Sequence, residues 1–121
     1  MMYEALLLDI PAIEDFGKAY GMGSRRKLVH RIVEDIRYCF GTRAVIGRMG
    51  VNRFIILQNR EEEGMIEKEL DALSGKLQTI HSVDGCPCTL FLRTARVDCT
   101  ETEDVDEMKT LLLRRLCGHK A

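Results

Sequence analysis

The residues of this chain best placed for chemistry are its clustered cations. From Gly17 to Arg60 stand Lys18, Arg25, Arg26, Lys27, Arg31, Arg37, Arg43, Arg48, Arg53 and Arg60, opposed there only by Glu34 and Asp35. Such a run is either a set of solvated helix faces or a basic surface that attracts anions or an acidic partner. Acids gather later, at Glu61-Glu62-Glu63, Glu67, Glu69 and Asp71 and from Asp98 to Glu107, which brings the net charge to −1. A second candidate is Cys86-Pro87-Cys88 with His81 nearby. A structural zinc needs four ligands, however, and Cys39, Cys99 and Cys117 are scattered, so a turn with incidental thiols is expected. His30 falls on the polar side of a helix and His119 in the tail, without a Ser or Cys partner in register for catalysis. Between the apolar runs Ala44-Val45-Ile46 and Phe54-Ile55-Ile56-Leu57 lies Arg48-Met49-Gly50-Val51-Asn52-Arg53-Phe54. Taken alone, that heptapeptide is a hairpin turn, because Gly50 and Asn52 tolerate positive φ.

The elements that must position these residues follow from periodicity. Tyr3 to Leu8 reads as a buried strand ending at Asp9, followed by a short helix from about Ala12 to Tyr20 and a break at Gly21-Met22-Gly23. Ser24 is the expected N-cap of a helix carrying Leu28, Val29, Ile32, Val33, Ile36 and Phe40 inward, and Gly41 ends it. Two strands, 43–48 and 52–58, form the hairpin. A helix from about Glu61 to Leu77 turns Ile66, Leu70, Leu73 and Leu77 to one face, with Glu61-Glu62-Glu63 favourable to its dipole. Strands over 79–83 and 88–95 flank Asp84-Gly85-Cys86-Pro87. A last helix points Val105, Met108, Leu112 and Leu116 inward, with Gly118 after it, and the six methionines are expected as core filler. Helices covering one face of a mainly antiparallel sheet make an α+β layer fold of the ferredoxin-like or palm kind.

Bulk properties set the frame. A chain of 121 residues supports one core, and 45% hydrophobic with 31% charged residues is an ordinary globular composition. No apolar stretch is long enough to span a bilayer and no signal-peptide layout opens the chain, so no membrane insertion is expected. Five cysteines in no regular framework suit reduced thiols and a cytoplasmic setting. The aromatics beside the cations include Phe40 and Phe54, which fit core positions. With the net charge not basic, no nucleic-acid partner is expected.

Several positions in order resemble the GGDEF (diguanylate cyclase) family. Ala5-Leu6-Leu7-Leu8-Asp9-Ile10 is similar to its first strand and Asp-containing end, and Tyr20-Gly21 to its Tyr/Phe-Gly pair. Val29, Ile32, Val33 and Ile36 match its helix spacing, and Arg48 to Phe54 aligns with Arg-Tyr-Gly-Gly-Asp/Glu-Glu-Phe. Thr89-Leu90-Phe91-Leu92 falls where a later strand is expected. The resemblance covers nearly the whole chain, as a single domain over 1–121 of nucleotide-cyclase-like palm fold. The family's leading Leu-Thr and Asn-Arg segment does not precede Tyr3, which suits a fragment of a longer signalling protein.

The resemblance also shows which positions would do chemistry. Active members hold two divalent metals on a triphosphate with carboxylates, and the metals neutralise charge at the transferred phosphoryl group. Asp9 matches the first-strand metal ligand, as a vestige. Its companion acid is Pro11 here, and the vestigial signature Gly50-Val51-Asn52-Arg53-Phe54 has Asn52 and Arg53 at the acidic positions. The base-recognition pairs fall at Gly17-Lys18 and Arg25-Arg26, and the product-binding Arg-x-x-Asp motif, whose ends would be Gly41 and Ala44, is absent. A unit charge about 4 Å from another is worth roughly 4 kcal/mol at an effective dielectric near 20. Exchanging an attracting carboxylate for a guanidinium therefore inverts the field at the metal position.

The implied function is a catalytically inactive GGDEF-like domain, a regulatory or dimerisation module in cyclic di-GMP signalling with a protein partner or homodimer and no cofactor. The alternative is a metal-independent nucleotide or phosphate sensor, with Lys18, Arg26 and Arg53 as the anion-binding candidates. An active cyclase using other residues is the third reading.

Overall fold

The computed structural model describes residues 3–59 and 64–118. In chain order the elements are β1 (Tyr3–Asp9), α1 (Ala12–Tyr20), α2 (Met22–Phe40), β2 (Val45–Arg48), β3 (Arg53–Asn59), α3 (Met65–Gln78), β4 (Ser82–Val83), β5 (Cys86–Pro87), β6 (Arg93–Asp98) and α4 (Val105–Gly118). Four strands form one antiparallel sheet in the order β2-β3-β1-β6, and β4 and β5 make a separate small hairpin. This is the α+β architecture expected of the chain. Among the described residues no helix is long and apolar enough to cross a membrane.

The central strand β1 is apolar on both faces because both are covered, which explains its unbroken run of leucines. Leu6, Leu8 and Ile10 join Phe54 and Ile56 against Ile13, Phe16, Leu28, Ile32, Ile36, Ile66 and Leu73 of α1, α2 and α3. Ala5 and Leu7 point the other way, as alternation along a strand requires, and pack with Ala95 and Val97 against Leu112 and Leu116 of α4. The expectation of helices on one face alone is thus corrected. The pattern of β1 is symmetric about the sheet, and nothing in the spacing within α4 says which face it will take.

Several boundaries move for identifiable reasons. The break between the first helices is Gly21 alone, and Met22, Gly23 and Ser24 all lie within α2, so Ser24 caps nothing. The strand expected over 88–95 begins only at Arg93, and Thr89-Leu90-Phe91-Leu92 is irregular chain with Leu90 buried and Phe91 exposed. With Leu90 buried and Leu92 half-buried, this irregular segment has the same alternation as a strand. Residues 79–83 shrink to the two-residue β4, which meets β5 through Asp84 and Gly85, both at positive φ. Such a turn is the primed hairpin type that Asp-Gly favours. Strand β2 starts two residues later than expected, at Val45, and β3 one later, at Arg53. Helix α3 begins at Met65, while the Glu61-Glu62-Glu63 expectation lies outside the described residues, as does His119. Val105 is 59% exposed rather than inward.

Helix α4 is fastened by more than its leucines. Arg115 donates to the Arg96 carbonyl at 2.6 Å and to Glu101 Oε2 at 3.0 Å, and this pairing depresses the Glu101 carboxyl to about 2. On the opposite face, buried Glu4 is held by Arg96, whose Nη2 lies 2.8 Å from Glu4 Oε2 and whose other end meets Glu67 of α3. Strand β6 therefore anchors a helix on each side of the sheet.

If α4 seats through its leucines, Leu112→Ala will lower stability by about 2–5 kcal/mol in urea denaturation. Val105→Ala will stay within about 0.5 kcal/mol of the parent. Equal losses at the two positions would contradict this seating of the helix.

Candidate functional site

The site is built where β1 ends. In the antiparallel register Asp9 stands directly opposite Arg53 on β3 and directly opposite Arg93 on β6. Residues in such pairs share a face, so one carboxylate is flanked by two guanidinium groups. Arg53 Nε lies 3.2 Å from Asp9 Oδ1, and Arg93 Nη1 lies 3.2 Å from Asp9 Oδ2. Asp9 is only 3% exposed, so its charge is buried and each oxygen has its own cationic donor. Arg93 reaches further: its Nη2 donates to the Leu116 carbonyl of α4 at 3.3 Å. The clamp thus ties the middle of the sheet to the last turn of α4.

The hairpin tip closes beside this clamp. The Met49 amide donates to the Arg53 carbonyl at 2.9 Å, and Gly50 takes φ +127°, a conformation that side chains resist. Arg48 folds back over its own turn, donating to the Gly50 carbonyl at 3.3 Å and the Val51 carbonyl at 2.8 Å. Its guanidinium lies 5.0 Å from the centre of the Phe54 ring, a cation–π distance. Burial, and then the charge of Arg25, lower the pKa of Arg48 from its usual value. Arg25 itself is laid across α1 at Gly17, where a Cβ would come within 2.7 Å of its Cδ.

Asn52 has a different task. Its Oδ1 accepts the Glu14 amide at 2.8 Å, and its carbonyl accepts the Ile10 amide at 2.8 Å. Helix α1 is preceded by Pro11, which supplies no side-chain cap. The cap is therefore delivered from 38 residues away, and it satisfies one of the amides that every helix start leaves open.

Of the residues singled out from the sequence, contacts join Asp9 with Arg53 and place Asn52 against α1. Lys18 is exposed and reaches Glu14 Oε1 at 3.9 Å, one turn back on its own helix. Arg26 is exposed on α2, and it is Arg25 whose charge is felt at Arg48. Arg93 was not among the sequence candidates. Only the pairing register marks it, because Arg93 falls opposite Asp9 once β6 is laid beside β1.

A hard divalent cation asks for several carboxylate oxygens. Asp9 offers two, each already taken by a guanidinium, and the Asn52 oxygen is spent on an amide. Among the described residues no group of three His, Cys, Asp or Glu side chains is placed to hold a metal ion. The residues present do not fit a two-metal centre. Cys86 and Cys88 belong to no such group; the Cys88 thiol is half-buried, and desolvation raises its pKa.

By sequence the chain matches no family profile and no curated protein. By structure it is similar to the diguanylate cyclase SiaD of Pseudomonas aeruginosa, solved in complex with its activator SiaC. That match has a TM-score of 0.81 at 14% identity, over 96% of this chain and 45% of that one. The active GGEEF domain of a diguanylate cyclase from Vibrio cholerae gives 0.80 at 11% identity, over 97% of this chain and 75% of that one. The FimX GGDEF domain of Pseudomonas aeruginosa gives 0.78 at 15%, over 95% and 72%. The fold is that of GGDEF domains, and the chain spans less than half the length of SiaD.

The capping role of Asn52 predicts that Asn52→Ala will cost about 0.5–2 kcal/mol of stability. Asn52→Asp will keep it, since a carboxylate accepts the same amide and suits the positive end of the helix dipole. Denaturant midpoints of the three proteins check this; a tolerant Asn52→Ala would remove the capping role.

Proposed function

We propose that this chain is a non-catalytic domain of GGDEF fold that serves as a regulatory or dimerisation module in cyclic di-GMP signalling. One observation carries the reading: the carboxylate at the end of β1 is held between Arg53 and Arg93 instead of facing a metal site. Phosphoryl transfer between nucleotides depends on cations that neutralise charge at the phosphates. Here the position that would attract such a cation is surrounded by positive groups. The likeness to GGDEF domains supplies the signalling context. SiaD, solved with its activator SiaC, is an instance of this fold engaged by a protein partner.

Purified protein incubated with GTP or ATP and magnesium or manganese will form no cyclic dinucleotide by chromatography and mass spectrometry. Metal-dependent product would defeat the proposal. Calorimetry with GTP, cyclic di-GMP and inorganic phosphate separates the sensor alternative. Binding that Arg53→Ala abolishes would favour a metal-independent nucleotide or phosphate site at Lys18, Arg26 and Arg53.

A further inference from the structure

We propose that the outer face of α2 binds the acidic turn that opens α4 in a second copy of this chain, so that copies associate head to tail. The inference rests on the module reading for its biological use, while the contact itself is argued from the surface.

At about 100° per residue, exposed Met22, Arg26, His30 and Arg37 stand along one line of α2 and Lys27, Arg31 and Tyr38 along another, with exposed Glu34 between them. Met22 is 58% exposed and Tyr38 78% exposed, so each end of the face offers a large apolar group. Lys27 is paired with Asp84 at 2.9 Å and His30 with Glu34 at 2.6 Å. Arg26, Arg31 and Arg37 face solvent, and no carboxylate among the described residues pairs with them. From Arg26 to Arg37 the face runs about 16 Å. Arginine, tyrosine and methionine are the types that interfaces concentrate, and all three are exposed on the outer side of α2.

The complement is on the same molecule. Glu103, Asp104, Asp106 and Glu107 are exposed around the start of α4. Asp104 Oδ1 accepts the Glu107 amide at 2.8 Å and Glu107 Oε2 accepts the Glu103 amide at 3.3 Å, a capping arrangement at the start of α4. Val105 is exposed between them and supplies an apolar contact for Met22 or Tyr38.

Geometry decides which copy meets which. Helix α2 packs on the face of the sheet carrying Leu6 and Leu8, and α4 on the face carrying Ala5 and Leu7. The acidic turn opens a helix on the opposite face of the sheet from α2, and a neighbour's turn can meet the basic face. Because the two patches differ, the contact is heterologous, and each added copy leaves one patch of each kind open. Assembly then proceeds beyond a dimer. Exposed charges are screened by salt, so the association weakens as ionic strength rises.

Sedimentation equilibrium of the whole chain tests this. At low salt the average mass will rise with concentration past that of a dimer, and high salt will return it toward the monomer. The double variants Arg26→Glu/Arg37→Glu and Glu103→Lys/Asp106→Lys, each checked for fold by circular dichroism, will associate at least tenfold more weakly. An equimolar mixture of the two will associate again, since each reversed patch finds its reversed complement. A wild-type chain that stays monomeric at low salt overturns the contact. So does self-association that neither double variant changes, an outcome that leaves a self-associating module with a different interface.

Discussion

A carboxylate buried at the end of the central strand must be compensated, and that requirement organises the molecule around Asp9. Taking an ion out of water costs several kcal/mol unless opposite charge and hydrogen bonds replace the solvent. Strand β1 has neighbours on both sides, so the two positions closest to Asp9 are set by register, and arginine fills both. The pairing is symmetric about the strand and uses one carboxylate oxygen for each arginine. Through Arg93 the same clamp captures a carbonyl in the last turn of α4. One charge thus joins three strands and a helix, at the end of the sheet where the hairpin and the start of α1 also meet.

Three residues near this end hold structural positions. Arg53 neutralises Asp9, Asn52 caps α1, and Arg48 secures the hairpin turn over Phe54. These are tertiary contacts between segments far apart in sequence. They stiffen the junction, and they occupy the groups that would otherwise be available to a ligand. A lone acid with free lone pairs invites cations; the same acid saturated by two guanidiniums presents their outer edges to solvent.

Much of this was legible in the residues. The bounds of α1, the hairpin around Gly50, the inward stripe of α2 and the core places of Phe40 and Phe54 all follow from period and turn chemistry. Of the cations singled out with Asp9, Arg53 is its partner, whereas Lys18 pairs with Glu14 and Arg26 is exposed on α2. What escaped was set by tertiary register. Arg93 is one arginine among many until β6 is aligned with β1, and Asn52 is a turn residue until α1 needs an acceptor. Residues 89–92 alternate as a strand does, yet they find no partner strand. Ser24 resembles a cap, but Gly21 had already turned the chain.

The near-zero net charge conceals a division that the fold makes spatial. Solvated helix faces are the ordinary fate of a charge run, and the ion pairs of Lys18 and Lys27 fit that reading. Arg26, Arg31 and Arg37 are different, since they are exposed on the outer side of α2 together with Met22 and Tyr38. The sheet lies between them and the acids of 103–107, so neutrality is a property of the sum and not of either surface. The basic face is built on α2, apart from the buried clamp at Asp9, so the saturation of Asp9 by its two arginines does not determine what the outer surface attracts.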